Sequence, residues 1–181
     1  MGAEKYETKS TNCFFLFFIP SLLPGTWWRE ALTELLEEIE AIEQEDVKAE
    51  LTTFIKQALH KTNDQLIDSY VYTFDFGKKT NMYLTYMNTG EQRERGIELL
   101  ELKQHYKKSG FEVTDKELPD YLPLLLEFFA NANEQDSEPI MSKYKENIQA
   151  LHVQLKEADS MYEPILSAVL LAIDTWGVQT N

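Results

Sequence analysis

The sequence predicts an all-α protein, a single-domain bundle of about seven to nine helices. Apolar residues recur at spacings of three and four along most of the chain, and Gly, Pro and capping residues divide it into helix-sized segments. No stretch shows the clear period-two alternation of a half-buried strand. The 181 residues, 43% of them apolar, supply enough material for one hydrophobic core. Because no repeat or low-complexity linker divides the chain, we treat residues 1–181 as one domain.

The first 28 residues are atypical. Their apolar run from Cys13 to Ile19 is too short for a bilayer span, which takes about 20 predominantly apolar residues. Acidic and basic residues precede the run in balance, whereas a secretory signal would have a positive region there. The run therefore predicts a buried first helix or a strand-like plug in a cytoplasmic protein.

Composition narrows the possible partners. The formal net charge of −14 and the pI near 4.6 argue against nucleic acid, because its phosphates would be repelled by such a surface. An electropositive partner fits better. Cys13 is the one cysteine, so the chain has no internal disulfide and no zinc site built from cysteines, as suits a reducing compartment.

The first clear helix is predicted over residues 26–45, where one face is apolar and the other carries glutamates. The acidic face is either simply solvated or a docking surface for a basic peptide. A second helix is predicted over Val47 to Leu59. Thr62 and Gln65 then have capping-box spacing for a third helix through Phe74, which Gly77 should end.

Two further helices are predicted in the middle of the chain. Residues 81–87 place Met and Tyr side chains at helical spacing, which favours a short core helix but also suits a surface for variable apolar partners. Residues 91–109 form a clear helix that Gly110 should end, and Glu91 and Arg95 are spaced as an i,i+4 pair. Gly96 inside that helix costs about 1 kcal/mol against alanine, which predicts close helix packing there.

The segment from Glu117 to Phe129 combines prolines, carboxylates and an unbroken apolar run. A helix should start near Asp115 or at Pro119, and Pro123 should kink it because it removes a donor that a regular helix needs. The segment is either a kinked core helix or a surface that holds a partner. On the second interpretation, Asp120 faces that partner as a carboxylate.

The C-terminal part predicts two more helices. One begins at Asp136 with Pro139 in its first turn. The other follows a capping box at Ser160 and is stopped by Gly177.

Catalytic groupings are not evident in the sequence. His60, His105 and His152 lack neighbouring metal ligands at productive spacing, and Glu101 with His105 is a single i,i+4 pair of a kind that is more often a surface contact. No Gly-rich phosphate loop or nucleophile elbow occurs. We therefore predict a binding protein and not an enzyme, without a metal or another cofactor.

Three blocks together carry a specific resemblance: Tyr-Val-Tyr-Thr-Phe-Asp-Phe at 70–76, Gly-Glu-Gln-Arg-Glu-Arg-Gly at 90–96, and Glu-Leu-Pro-Asp-Tyr-Leu-Pro at 117–123. In order and approximate spacing they resemble the delta subunit of respiratory nitrate reductase. That family consists of molybdenum cofactor assembly chaperones within the wider redox-enzyme maturation chaperones. The resemblance is clear from Leu66 to Phe129 and weaker beyond. The N-terminal quarter departs from the family pattern.

The resemblance implies a monomer or weak dimer that binds the N-terminal segment of the nitrate reductase alpha subunit. It implies that the chain holds the apo-enzyme during molybdenum cofactor insertion, before membrane assembly and without stable membrane insertion of its own. Two alternatives stay open: a chaperone for a sulfoxide or amine-oxide reductase, and a generic acidic helical adaptor. The client-binding residues that the family motifs imply are Leu118, Pro119, Asp120, Tyr121, Leu122, Pro123, Tyr70, Phe74, Asp75, Arg93 and Arg95.

Overall fold

The structure is a computed structural model that describes residues 28–77, 79–87, 92–112 and 117–178. It confirms the all-α prediction. Within these residues seven α-helices are found: α1 Trp28–Ile39, α2 Glu45–Leu59, α3 Asn63–Tyr70, α4 Gln92–Lys108, α5 Leu122–Asn131, α6 Glu134–Glu157 and α7 Glu163–Val178. A π-helix, Val71–Asp75, continues α3, and a 3-10 turn, Leu84–Met87, precedes α4. The predictions made for the run at Cys13 lie outside the described residues.

The core lies where α7 packs against α2 on one side and against α6 on the other. α1 covers α2, and α5 packs on α6. Each helix contributes an apolar face, as its period predicts. The members buried most deeply are large: Phe54, Tyr106, Phe129 and Tyr144 have 2% exposure or less. Such burial contributes most of the favourable free energy of folding.

Local signals for helix ends are confirmed in two places. The Thr62 hydroxyl accepts from Gln65 N while the Gln65 side chain accepts from Thr62 N, which completes the predicted capping box of α3. Gly110 ends α4 with a φ of 85°, a left-handed conformation that favours glycine. The first helix is shorter than predicted, because the chain turns after Ile39 and still buries Ile42.

The predicted helix over residues 81–87 is wrong. Only its last four residues form a 3-10 turn, and Tyr83 instead makes an isolated antiparallel bridge with Tyr121. Leu84 N donates to Asp120 O and Leu122 N donates to Met82 O. These bonds to a distant segment replace the bonds that a local helix would make.

The predicted kink at Pro123 is also wrong. The chain turns at Pro119 and Asp120, and α5 begins only at Leu122. Pro123 therefore lies in the first turn of α5, where a missing N–H has no helical partner to lose. Thr114 and Asp115 lie outside the described residues.

Two predictions at the start of the C-terminal helices need correction. α6 begins at Glu134, where the Asn133 side chain accepts from Asp136 N, so Pro139 lies inside the helix and not in its first turn. At Ser160 the hydroxyl accepts from Tyr162 N, while Glu163 pairs with His152 and does not complete a capping box. α7 extends to Val178, one residue beyond Gly177.

Candidate functional site

The second and third sequence blocks meet at Asp120, whose side chain is fully buried. Its Oδ2 accepts from Thr85 N at 3.1 Å and from Thr85 Oγ1 at 2.6 Å. Arg95 Nη2 lies 3.5 Å from the same oxygen, and Arg95 Nε donates to Thr85 Oγ1 at 2.9 Å. We call these three residues the Asp120 cluster. The expectation that Asp120 faces a partner is therefore wrong for this conformation, because its carboxylate is used to fix Thr85 at the start of the 3-10 turn.

The two arginines of the second block lie on opposite sides of α4, since two residues correspond to about 200° of helical rotation. Arg95 turns inward to the Asp120 cluster, and its guanidinium also lies 5.5 Å from the ring centre of Tyr86, which is 60% exposed. Arg93 points away from the core and is exposed. The structure therefore does not bring Arg93 into the same cluster as Arg95.

The first and third blocks meet through aromatic rings. Burial first, and then a hydrogen bond with Tyr121, raise the pKa of Tyr70. The ring of Tyr121 packs against that of Tyr83, with ring centres 5.2 Å apart and the planes inclined by 38°. The Tyr83 hydroxyl donates to Glu117 Oε2 at 2.7 Å. Burial and this bond raise the pKa of Tyr83 to about 12. Phe74 packs beneath Tyr70 with ring centres 5.1 Å apart.

The predicted client-binding residues thus divide by exposure. Leu118, Asp75 and Arg93 are exposed, and Tyr70, Tyr121 and Arg95 are partly exposed. The others are buried and can support a surface without forming it: Phe74, Pro119, Asp120, Leu122 and Pro123.

Sequence reasoning missed two aromatic side chains, Tyr72 and Phe76, which are 80% and 77% exposed. They lie along a cavity of about 720 Å³. We call this cavity the aromatic groove; it is lined by Lys61, Ser69, Tyr72, Thr73, Phe76, Gly77, Lys79, Thr80, Gln154, Glu157, Ala158, Asp159, Ser160 and Met161. Exposed aromatic rings beside a cavity of this size are typical of a surface that binds an apolar ligand or peptide.

A signal in the sequence could have identified this pair. Every second residue from 70 to 76 is aromatic, although the segment is helical. Residues four apart share one helix face, so Tyr70 and Phe74 point inward and Tyr72 and Phe76 must point to the other side. The π-helix at Val71–Asp75 is a form that is often found at functional sites.

The aromatic groove continues into a second cavity of about 970 Å³. The two share Lys61, Asp159, Ser160 and Met161. Asp159 has a φ of 50°, which is unusual for a residue other than glycine. The lining of the second cavity also includes Lys56, His60, Lys156 and Glu163, so this cavity has both basic and acidic side chains.

The histidines make structural contacts. His60 Nδ1 bonds Lys56 O at 2.6 Å, His105 Nε2 bonds Asp136 O at 2.6 Å, and His152 Nε2 lies 2.8 Å from Glu163 Oε1. His105 thus contacts the start of α6. Within the described ranges no group of three or more His, Cys, Asp or Glu side chains could bind a metal.

We find no helix with the length and apolar character to cross a bilayer in the part of the chain that the structure describes.

Comparison with known proteins gives a consistent result. The family model of the nitrate reductase delta subunit matches residues 28–166. A probable nitrate reductase molybdenum cofactor assembly chaperone, NarJ, of Bacillus subtilis is 46% identical over 158 residues, which cover 87% of this chain and 86% of that protein. NarX, a nitrate reductase-like protein of Mycobacterium tuberculosis, is 36% identical over 60% of this chain and 17% of its own length. The Escherichia coli chaperone NarJ is 28% identical over 59% of this chain and 45% of its own length.

Proposed function

Because the chain belongs to the nitrate reductase delta subunit family, we propose that it is a molybdenum cofactor assembly chaperone for a nitrate reductase. The observation that carries this proposal is the 46% identity with the Bacillus subtilis chaperone over 87% of the chain. The family is one of assembly chaperones and not of catalytic enzymes. In this role the chain binds the N-terminal segment of the alpha subunit and holds the apo-enzyme until the cofactor is inserted.

We further propose that the client segment binds in the aromatic groove. Tyr72 and Phe76 would cover the apolar side chains of the segment, since each offers a large ring that is already exposed. Glu157 and Asp159 line the same groove together with Lys61 and Lys79, and the two carboxylates would meet basic residues of the segment. This is a peptide-in-groove mode, in which apolar anchors supply area and a few charges fix the direction.

The family motif residues would then have two roles. Leu118, Tyr121, Tyr70, Asp75 and Arg93 are accessible enough to contact a client beyond the groove. The buried motif residues stabilise the surrounding backbone and do not contact the client themselves. The Asp120 cluster in particular joins the two segments that flank α4.

The test is isothermal titration of the full chain with a peptide copied from the alpha-subunit N-terminus of the same organism. We expect Tyr72→Ser with Phe76→Ser to weaken binding at least tenfold, which corresponds to about 1.4 kcal/mol, a loss expected from removing interface aromatics. The melting temperature should stay unchanged because both side chains are exposed. Ile67→Ser is the matched control, since Ile67 is 40% exposed on α3 and is not among the groove-lining residues.

The outcomes separate the two levels of the proposal. If the double variant binds as well as the wild type, the aromatic groove is not the client site. If the wild type binds no alpha-subunit peptide, the proposal that the chain recognises the N-terminal segment is wrong. Peptides from a sulfoxide and an amine-oxide reductase should bind more weakly, and tighter binding of either would identify a different client.

A further inference from the structure

One buried hydroxyl holds the segment that carries the two exposed aromatic rings of the groove. Thr80 is 8% exposed, and its Oγ1 donates a hydrogen bond to Thr73 O. Thr73 lies in the π-helix Val71–Asp75, so its carbonyl belongs to the last turn of that helix. Carbonyls in the last turn of a helix need a partner from outside the helix. The Thr80 hydroxyl is such a partner, and it comes from the chain beyond the helix.

Gly77 leaves the space that this hydrogen bond needs. A Cβ atom built at Gly77 would overlap Thr80 Oγ1 and Thr73 O, the two atoms that the bond joins. Any side chain at position 77 would therefore push them apart. The φ of Gly77 does not lie in the left-handed range, so glycine is required here for space and not for backbone conformation.

Gly96 provides the contrast. A Cβ atom at Gly96 would meet no described atom within 4 Å, so the close helix packing predicted there is wrong. The two glycines therefore differ in their surroundings, and Gly96→Ala is a matched control for Gly77→Ala.

The arrangement lies in the aromatic groove itself. Its members among the groove-lining residues are Thr73, Phe76, Gly77 and Thr80. Positions 73 and 77 directly follow the two aromatic residues Tyr72 and Phe76, so fixing these positions also fixes the backbone from which both rings project. Phe76 N donates to Val71 O at 3.0 Å, the i→i+5 bond of a π-helix. Because π-helices are rare, support from outside the helix is expected where one occurs.

We propose that Thr80 and Gly77 are positioning residues for client binding. They hold Tyr72 and Phe76 in the orientation that receives the apolar side chains of the client segment. The proposal rests on the function proposed above, since that function assigns the groove to this segment. Thr80 and Gly77 act by ordering the two rings before the client arrives. Preordered side chains bind more tightly because less conformational freedom is lost on binding.

The hydroxyl of Thr80 can be tested separately from its shape, because Thr80→Val removes it and Thr80→Ser keeps it. In the titration of the full chain with the alpha-subunit peptide, Thr80→Val should weaken binding about five- to tenfold, and Thr80→Ser should bind like the wild type. Gly77→Ala should weaken binding to a similar extent, while Gly96→Ala should leave the affinity unchanged. Thr53→Val is the matched control for a lost hydroxyl, since Thr53 Oγ1 donates to Ala49 O at 2.9 Å on α2, outside the groove lining.

A double-mutant cycle distinguishes positioning from a general loss of stability. If Thr80 acts through the two rings, Thr80→Val should change the affinity by less than about twofold once Tyr72→Ser and Phe76→Ser have removed them. A merely structural role would weaken binding by the same factor in both backgrounds, and that result would overturn the proposal. Wild-type affinity of Thr80→Val would overturn it as well, as would an equal loss in Thr80→Ser.

Amide hydrogen exchange of the full chain tests the arrangement without any client. The Phe76 amide should exchange faster in Thr80→Val than in the wild type, and at the wild-type rate in Thr53→Val. Equal exchange in Thr80→Val and the wild type would contradict the positioning role even if the wild type binds the peptide, and the proposed function would then stand. A wild type that binds no alpha-subunit peptide would instead refute the proposed function, and with it the role of Thr80 in client binding.

Discussion

Replacement of Asp120 by asparagine should destabilise the fold, although the two side chains have nearly the same shape. In the wild type, Asp120 Oδ2 accepts two hydrogen bonds from Thr85 and lies 3.5 Å from Arg95 Nη2. Its Oδ1 has no hydrogen-bond partner among the described residues. Asparagine keeps one acceptor oxygen, but its amide nitrogen takes the position of a buried oxygen that no described donor or acceptor contacts.

The magnitude follows from these contacts. Hydrogen bonds to a charged group contribute about 1.5–3 kcal/mol, against about 0.5–1.5 kcal/mol for neutral pairs, so loss of the charge weakens both Thr85 bonds. The amide nitrogen adds no separate penalty to this sum, because the Oδ1 that it replaces already has no hydrogen-bond partner among the described residues. The ion pair with Arg95 contributes less to stability than a fully buried pair would, because the Arg95 side chain is 24% exposed and its Nη2 lies 3.5 Å from Asp120 Oδ2. We expect a total loss of about 2–4 kcal/mol, which lowers the melting temperature by roughly 5–15 °C in a chain of this size.

Thermal unfolding followed by far-ultraviolet circular dichroism measures the change. Asp75→Asn is the matched control, since Asp75 is exposed and its substitution should shift stability by less than about 0.5 kcal/mol. Thr85→Val completes a double-mutant cycle, and the double variant should lose less than the sum of the single losses. Equal melting temperatures for Asp120→Asn and Asp75→Asn would refute the argument. If Asp120→Asn lowers client affinity without lowering stability, Asp120 contacts the client instead of stabilising the fold.

Three further results are expected. The unfolded tyrosine pKa is 10.0 and that of Tyr83 is raised to about 12, so stability should fall as the pH rises from about 10 to about 12, as alkaline titration of unfolding would show. Gly110→Ala should cost about 1–2 kcal/mol because of its φ of 85°, whereas Gly96→Ala should gain up to about 1 kcal/mol, and urea unfolding compares them. Pro123→Ala should lower stability by about 1 kcal/mol through greater freedom of the unfolded chain, and a clear stabilisation in the same assay would instead support a kinked helix.

Helices with a sustained apolar period were predictable. α2 and α4 appear close to their predicted limits, because their period and their end signals agree. α3 ends at Tyr70, and only with the π-helix Val71–Asp75 that continues it does it reach the predicted limit at Phe74. The segment before α4 was not predictable in this way. Its Met and Tyr residues fit a helical spacing, but the hydrogen bonds of Leu84 and Leu122 go to each other's segments, and sequence spacing carries no information on such distant pairing.

The candidate site shows the same limit. The motif residues were identified from their resemblance to a family, but exposure decides which of them can touch a client. Asp120 has the sequence signature of a helix start and is instead fully buried, because Thr85 and Arg95 approach it from another part of the chain. Tyr72 was missed because the motif residues chosen in this segment, Tyr70 and Phe74, lie on the inward face of the same helix. Its exposure follows from helix geometry alone.

The pairing of residues 82–84 with residues 120–122 has a consequence for local opening. These contacts and the adjoining bond of Thr85 with Asp120 join positions 35 or more residues apart, and α4 lies entirely between them. The enclosed segment is thus a loop whose two ends are joined by these hydrogen bonds. It can open only when these bonds break together. We expect the amide hydrogens of Leu84, Thr85 and Leu122 to exchange with solvent at one common rate, which marks α4 and its flanks as a single cooperative unit within the fold.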